Sequence, residues 1–478
     1  MNNLIIVLLS ACAGLFTQIS LAPAHLYIIS FIALIPFFIA LEAAKTLKSK
    51  LLVGTLTGFF ANLTGFYWMI LVFKNFFFYP LEQSIALFFL YAFVGHLQFF
   101  FFSLFYYFLR KGKENSKFSL SNVLLITLGY TFIDYYTPKL FGDTLGDAFD
   151  NQVYLRQLVK VIGLPFLTFI CAFANASFFA DLKARKLKHS YLYIVFILVC
   201  FFIGKNENDK QVQIINQSSE YIQVAAIQPN TSGPDKILAE THPSVRTQNL
   251  NELLNDSEDA IKNNPNLDLI IWPETSYPAY YTNVSEYENL MKKKLHEFVL
   301  KTHVAILFGL TDRDVDNKLY NSAILIQDDG GKIKSEVYHK VILAFMGEYN
   351  PFSKNTPSVL QHGEHPSLLH LKTKAGKEVK IAPIICYEAM SPLYVSEAKR
   401  LNPDLIIHIS NEAWFGYYGL PYSFFYLASF RSIESEIPMI KDSNSGFSGL
   451  ILPDGSVKFL GNLNDKEILI MTVPIIRK

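Results

Sequence analysis

The sequence predicts a multi-span α-helical membrane domain followed by an α/β domain, on two observations. No charged residue precedes Glu42, and uncharged runs near 20 residues recur as far as residue 204, long enough to cross a bilayer. From "GKNENDKQVQ" (204–213) onward the composition turns polar, and short apolar runs alternate with helix-like segments, the pattern of a layered α/β fold. A chain of 478 residues also exceeds one ordinary core, so the expectation is two domains, 1–204 and 205–478. The net charge of +1 gives no sign of a nucleic-acid partner.

About seven spans are expected, at 2–19, 26–41, 51–73, 83–109, 118–136, 157–180 and 190–204. The loops between them test the count. Lys45, Lys48 and Lys50 follow the second span. Arg110, Lys111, Lys113 and Lys117 follow the fourth, and Lys183, Arg185, Lys186 and Lys188 the sixth. Alternate loops are poor in basic residues. Residues 20–25 have none, 74–82 have Lys74, and 137–156 set Lys139 and Arg156 against Asp143, Asp147 and Asp150. Basic loops mark the cytoplasmic side, which puts the N-terminus inside and residues 205–478 outside. A cleaved signal peptide would need a basic start that Met1–Asn3 lacks. "LLSAC" (8–12) resembles a lipoprotein cleavage box, but six further spans make a lipid anchor redundant.

In the second domain, strands are expected at 221–228, 267–274, 304–310, 321–327, 379–388, 404–410 and 468–473, and helices at 245–263, 284–301 and 422–436. Residues 350–367 read as a long irregular loop, and no internal repeat is visible.

Four expected strands end in reactive or polar groups: "WPETS" at Glu274, "YHK" at Lys340 with Glu348 eight residues on, "ICYE" at Cys386, and "ISNEAWFG" at Asn411, Glu412 and Trp414. In layered α/β folds such ends converge on one crevice. Cys386 is the only cysteine after residue 204. A thiol where an apolar strand enters a turn is an exposed nucleophile, with the next backbone N–H groups aimed at a developing oxyanion. Taken singly, each residue has a plainer reading: a buried inert thiol, a solvated loop carboxylate, an unremarkable lysine. The aromatic groups "SYPAYY" (276–281) and "WFGYYGLPYSFFYL" (414–427) fit a membrane interface, or ordinary core packing.

Together, "WPE", "YHK…GEY.P", "ICYE" and "SNEAWFG" resemble the nitrilase, or carbon–nitrogen hydrolase, superfamily in order and spacing. With the preceding spans, nearly the whole chain resembles the apolipoprotein N-acyltransferase family. The resemblance implies a nitrilase-like αββα sandwich with a Glu-Lys-Cys triad: Glu274 as general base, Lys340 as oxyanion stabiliser, Cys386 as nucleophile. It puts Glu348, Tyr387 and Glu388 beside the site and Trp414 on a loop shaping its entrance, with Asn411 as a supporting residue. It also implies an acyltransferase of the bacterial inner membrane with a periplasmic catalytic domain. The donor would be a phospholipid such as phosphatidylethanolamine. The acceptor would be the α-amino group of a diacylglyceryl-cysteine on an apolipoprotein, in the last step of lipoprotein maturation. The chemistry needs no metal or cofactor.

Departures from the family pattern cluster at the entrance. "LAFMGE" stands for the usual "LVPFGE", Glu412 for Asp, Ser423 and Phe424 for a Gln-His pair, and "KDSNSG" for "R.TN.G"; the usual eighth span is not seen. Two other readings stay open. One is a membrane-tethered amidase or nitrilase that passes the acyl group to water and shares every catalytic residue. The other is a transporter or scaffold with an inactive outer domain, for which Asp134 and Lys160 are the intramembrane charges to explain.

Overall fold

All seven apolar ranges contain helix in the computed structural model, which describes residues 2–112, 116–345, 347–349, 360–416 and 419–477. Among the described residues, three helices are long and apolar enough to cross a membrane: Leu81–Arg110, Leu164–Ala184 and His189–Asn216. Leu47–Gly65 and Met69–Asn75, bent by 64°, make a fourth if they form one span. Asn3–Ile19 and Tyr27–Ala43 are apolar but shorter, and Leu120–Tyr136 has 17 residues. Side-chain caps start several of them: Asn2 accepts from the Leu4 N–H, Thr46 from Ser49, and Ser119 from Asn122. The first helix lies close against Leu47–Gly65. A Cβ on Gly14 would stand 2.6 Å from the Ala61 nitrogen, the small-residue contact by which apolar helices associate. Leu90, Phe108, Phe132 and Phe202 are exposed, as lipid-facing residues of a membrane protein are.

Several charged groups inside this region are paired. Glu42 accepts from the Tyr106 hydroxyl at 2.8 Å and meets Arg110 at 3.4 Å and Lys183 at 3.3 Å. Of the two charges that a transport path would have used, Asp134 is buried and held by Lys139 at 2.9 Å. Lys160 meets Glu207 at 3.3 Å.

The chain forms two units, one of residues 1–210 with 418–430, the other of 211–417 with 431–478. The helix His189–Asn216 runs through the polar stretch at which the sequence suggests a break. Asn, Glu, Asp, Lys and Gln tolerate a helix, and no proline intervenes before Pro229. Lys205–Asp209 and Lys210–Glu207 pairs line its polar turns.

The described residues of the second unit form twelve strands: β1 (Tyr221–Gln228), β2 (Leu269–Trp272), β3 (Ala305–Arg313), β4 (Leu319–Asp328), β5 (Ile333–His339), β6 (Leu369–Lys372), β7 (Glu378–Ile385), β8 (Leu405–Ser410), β9 (Met439–Ser443), β10 (Gly449–Ile451), β11 (Val457–Lys458) and β12 (Glu467–Pro474). They make two six-stranded sheets, ordered β12-β1-β2-β3-β4-β5 and β11-β10-β9-β8-β7-β6. Gln327 of β4 ties the sheets together, donating to the His370 carbonyl at 2.7 Å and accepting from the Lys372 N–H at 2.8 Å. Helices Pro243–Asn263 and Glu286–Thr302 cover the first sheet through Leu250, Leu253, Leu295 and Val299, packed with Trp272 and Phe308. This is the nitrilase-like arrangement of helices on paired sheets. Tyr277 and Tyr281 lie in that core against Phe308, so the first aromatic group is core packing rather than an interfacial belt.

Strand direction gathers the functional ends. β1, β2 and β3 are parallel, and β5 lies antiparallel to β4, which is antiparallel to β3. β2 and β5 therefore point the same way. In the second sheet β7, β8 and β9 are parallel. Residues 360–367 are irregular, and the rest of the expected loop, 350–359, lies outside the described residues.

Candidate active site

β2 ends at Trp272, and the chain turns through Pro273 and Glu274 to Thr275, whose φ is +50°. That turn sits directly on β3. A Cβ on Gly309 would come within 2.6 Å of the Glu274 Cα and 2.7 Å of the Pro273 oxygen, so the approach requires glycine. Three donors hold the Glu274 carboxylate. Oε1 accepts from Asn321 Nδ2 at 2.7 Å and Lys340 Nζ at 3.3 Å, and Oε2 from the Asn411 N–H at 2.8 Å.

Lys340 follows β5 and is 1% exposed. Its Nζ also meets Glu348 Oε2 at 2.7 Å. Burial alone would lower the ammonium's pKa; Glu348, Glu274 and the Cys386 sulfur outweigh it and hold it above the ordinary lysine value. Burial likewise pushes Glu348 up, and Lys340 with Asn321 draws it below the usual carboxylate range. Asn321 bridges both carboxylates, reaching Glu348 Oε1 at 2.6 Å.

β7 ends at Ile385, and Cys386 opens a short 3-10 turn, Cys386–Met390. Its φ of +49° is left-handed, a conformation that costs a side-chain-bearing residue about 1–2 kcal/mol. The thiol feels burial first, then the charges of Glu274, Lys340, Glu348 and Glu412. The balance keeps its pKa well above the usual value, so the group is a thiol at rest.

Glu388 is fully buried behind this turn and ties two strand ends together. Oε1 accepts from the Tyr338 hydroxyl at 2.6 Å and the Val341 N–H at 2.6 Å, and Oε2 from the Ile385 N–H at 2.7 Å. Burial pushes Glu388 up to about 7 against those bonds. Asn411, besides its backbone bond to Glu274, accepts from Asn444 at 3.1 Å. The Tyr387 side chain is partly buried beside Cys386, and its pKa is raised by burial and then by the Cys386 sulfur. The Trp414 ring packs over Gly233.

Hydrogen bonds and ion pairs thus join Glu274, Lys340, Glu348 and Asn411, and their charges reach Cys386. The structure adds Asn321, Lys236 and His408, and pairs the strand-end Glu412 with Lys441. Lys236 is half-buried on the helix Gly233–Thr241, and its Nζ donates to the carbonyls of Glu274 and Thr275, each at 3.3 Å. Lys441 meets Glu412 at 2.5 Å. Asn321 did leave a signal, a polar residue opening the apolar run "NSAILIQ". A separate cavity of about 40 Å³ in the first unit, lined by Trp68, Phe141, Asp143, Asp147 and Asp150 among others, holds none of the expected site residues.

Residues 223–476 match the carbon–nitrogen hydrolase family, and residues 13–177 match the apolipoprotein N-acyltransferase N-terminal domain. The chain is 26% identical to apolipoprotein N-acyltransferase 1 of Leptospira interrogans serovar Lai, over 91% of this chain and 85% of that one. It is 25% identical to apolipoprotein N-acyltransferase 1 of Treponema denticola, over 94% and 85% respectively. Among solved structures it is similar to Nit3 of Saccharomyces cerevisiae, a member of the nitrilase superfamily, at 20% identity and a TM-score of 0.41, over 54% of this chain and 91% of that one.

Proposed function

The chain belongs to the carbon–nitrogen hydrolase family, and from that premise we propose that it is an apolipoprotein N-acyltransferase. The observation that carries the reading is the buried cluster in which the Glu274 carboxylate and the Lys340 ammonium act on the Cys386 sulfur. Its names come from relatives that align along most of the chain.

Because Cys386 is a thiol at rest, its proton must leave during the attack. Glu274 takes that proton as Sγ bonds to the ester carbonyl carbon of a phospholipid. Lys340 and the backbone N–H of Tyr387 stabilise the oxyanion. As the intermediate collapses, the C–O bond breaks and Glu274 returns its proton to the departing lysophospholipid oxygen, leaving a thioester. The amine of a diacylglyceryl-cysteine then attacks the thioester and gives Glu274 a proton. The amide forms, the C–S bond breaks, and the proton passes back to sulfur.

The other residues hold this centre. Glu348 and Asn321 fix Lys340 and Glu274, Asn411 orients the base, and Glu388 anchors the turn behind the nucleophile. Trp414 shapes the entrance. The donor is phosphatidylethanolamine or a close relative. The alternation of basic loops supports seven spans over 1–204 in the bacterial inner membrane. The N-terminus is then cytoplasmic and the catalytic residues, 205–478, periplasmic.

Intact-mass measurement after incubation with phosphatidylethanolamine tests the reading. One acyl mass should appear on the wild type and not on Cys386→Ser; equal acylation of both removes the nucleophile assignment. Adding a diacylated lipopeptide should yield a third acyl chain on it. Release of free fatty acid instead supports the hydrolase.

A further inference from the structure

His408 lies in the middle of β8, fully buried, between neighbouring strands β7 and β9. Its Nε2 is 3.1 Å from the carbonyl oxygen of Cys386. A carbonyl only accepts, so Nε2 carries the hydrogen and Nδ1 is the bare nitrogen. Nδ1 has no hydrogen-bond partner among the described residues. Burial, then the nearby Lys441 ammonium, keeps the ring's pKa well below the ordinary histidine value. The ring is therefore neutral with its tautomer fixed, and the site carries a dedicated donor to one main-chain oxygen.

That oxygen matters because of the peptide to which it belongs. The Cys386 C=O and the Tyr387 N–H lie in one rigid trans plane and point in opposite directions. Fixing the oxygen fixes the line along which the N–H points. A donor on the carbonyl also polarises the amide and strengthens its N–H as a donor. The plane needs support because Cys386 sits in the left-handed region at φ +49°. Glu388 holds the start of the turn through the Ile385 N–H at 2.7 Å, and His408 holds the Cys386 carbonyl itself.

We propose that His408 is a positioning residue: its Nε2–H holds the Cys386 carbonyl and so aims the Tyr387 N–H at the oxyanion formed during acyl transfer. The proposal rests on the reading of Cys386 as the nucleophile. It adds a requirement that the motifs do not contain, a donor at the centre of the neighbouring strand.

The test compares His408→Gln, whose side-chain amide retains an N–H of similar reach, with His408→Met, which fills similar space and has no donor. Single-turnover acylation by phosphatidylethanolamine is followed by intact mass. Alkylation of Cys386 by iodoacetamide, which forms no oxyanion, is followed in parallel. His408→Met should acylate about 10- to 100-fold more slowly than wild type, with KM for the phospholipid and the alkylation rate both within about twofold. His408→Gln should recover most of the loss. Equal acylation by wild type and His408→Met overturns the proposal. So does a parallel fall in acylation and alkylation, or a glutamine variant no faster than the methionine one. Should His408→Met not fold, His408→Asn, whose amide is too short to reach the carbonyl, gives the same contrast with glutamine. A wild-type protein that forms no adduct with phospholipid is a different outcome: it removes the acyltransferase reading, and the inference with it.

Discussion

Two lysines of the α/β unit, Lys340 and Lys441, are equally hidden, at 1% and 0% exposure, and each lies in an ion pair. Their surroundings differ in one respect. Lys340 faces two carboxylates, Glu348 at 2.7 Å and Glu274 at 3.3 Å. Lys441 faces one, Glu412 at 2.5 Å, and its remaining bonds go to the Ser410 hydroxyl at 3.2 Å and the Phe447 carbonyl at 3.1 Å. The second cluster sets one ammonium against one carboxylate, whose other oxygen has no hydrogen-bond partner among the described residues. The first holds one carboxylate more than its ammonium neutralises, beside a sulfur whose proton needs an acceptor. Equal burial does not make two ion pairs equivalent; the uneven one can move a proton, and the even one can hold a loop.

The strongest way to break this comparison is Lys340→Met. It removes an oxyanion donor, worth about 10²–10³ in rate, and leaves two buried carboxylates face to face, a loss of about 3–5 kcal/mol in stability. Acylation should fall at least 10³-fold and the unfolding temperature should drop together with it. A variant within tenfold of wild type would place Lys340 in the same class as Lys441.

Gly309→Ala attacks the same centre without touching any of its charges. The added methyl would meet the Glu274 Cα at 2.6 Å and the Pro273 oxygen at 2.7 Å. Both are backbone atoms, so the turn must shift. A displacement on the order of 1 Å at a general base costs about 10²-fold. Acylation should fall by about that factor while iodoacetamide still labels Cys386. Unchanged acylation would show that Glu274 tolerates movement.

The uneven cluster was largely legible in the sequence; of the even one, Glu412 stood out at a strand end, but its pairing with Lys441 left no signal. Glu274, Lys340 and Cys386 each follow an apolar run or a recognisable motif. β1, β2, β3, β4, β7, β8 and β12 announce themselves because most are buried runs of Ile, Leu, Val and Ala. β5 and β6 are edge strands, and β5 is half exposed along its length. β9 reads "MIKDS", too polar for a core strand, yet Lys441 and Asp442 are both fully buried in it. Asn321, His408 and Lys236 act on partners 47, 22 and 38 positions away; no local pattern carries such pairings. In the membrane region, hydropathy and loop charge mark where apolar helices lie but carry no signal for a break within one, such as the 64° bend.

A double-mutant cycle sharpens the comparison at the even pair. Lys441→Met alone leaves the buried Glu412 without its ammonium and should cost about 3–5 kcal/mol in stability. Lys441→Met with Glu412→Met should regain most of that loss, since a satisfied apolar pair can replace a buried ion pair. Activity in the double variant should fall only about tenfold, through Asn411 and its bond to Glu274. A double variant as inactive as Lys340→Met would mean that the even pair takes part in the chemistry.

Lys236 gives the smallest effect and the one with a pH signature. Burial lowers its pKa to about 8, while its Nζ holds the Glu274 and Thr275 carbonyls and the Thr275 hydroxyl, the last at 3.2 Å. The folded pKa lies below the unfolded value of about 10.4. Between pH 8 and that value the unfolded chain binds more protons at this site than the folded one, so stability rises with pH across this window. Activity should move the other way. A neutral amine has two hydrogens for three acceptors, so the turn carrying Glu274 loosens, and kcat/KM should decline a few-fold above pH 8. Lys236→Met should be a few-fold slower at neutral pH and should lose both the alkaline decline in rate and the alkaline gain in unfolding temperature. If the two trends persist in that variant, another group is titrating, and the lysine is a prop for the turn whose charge is immaterial.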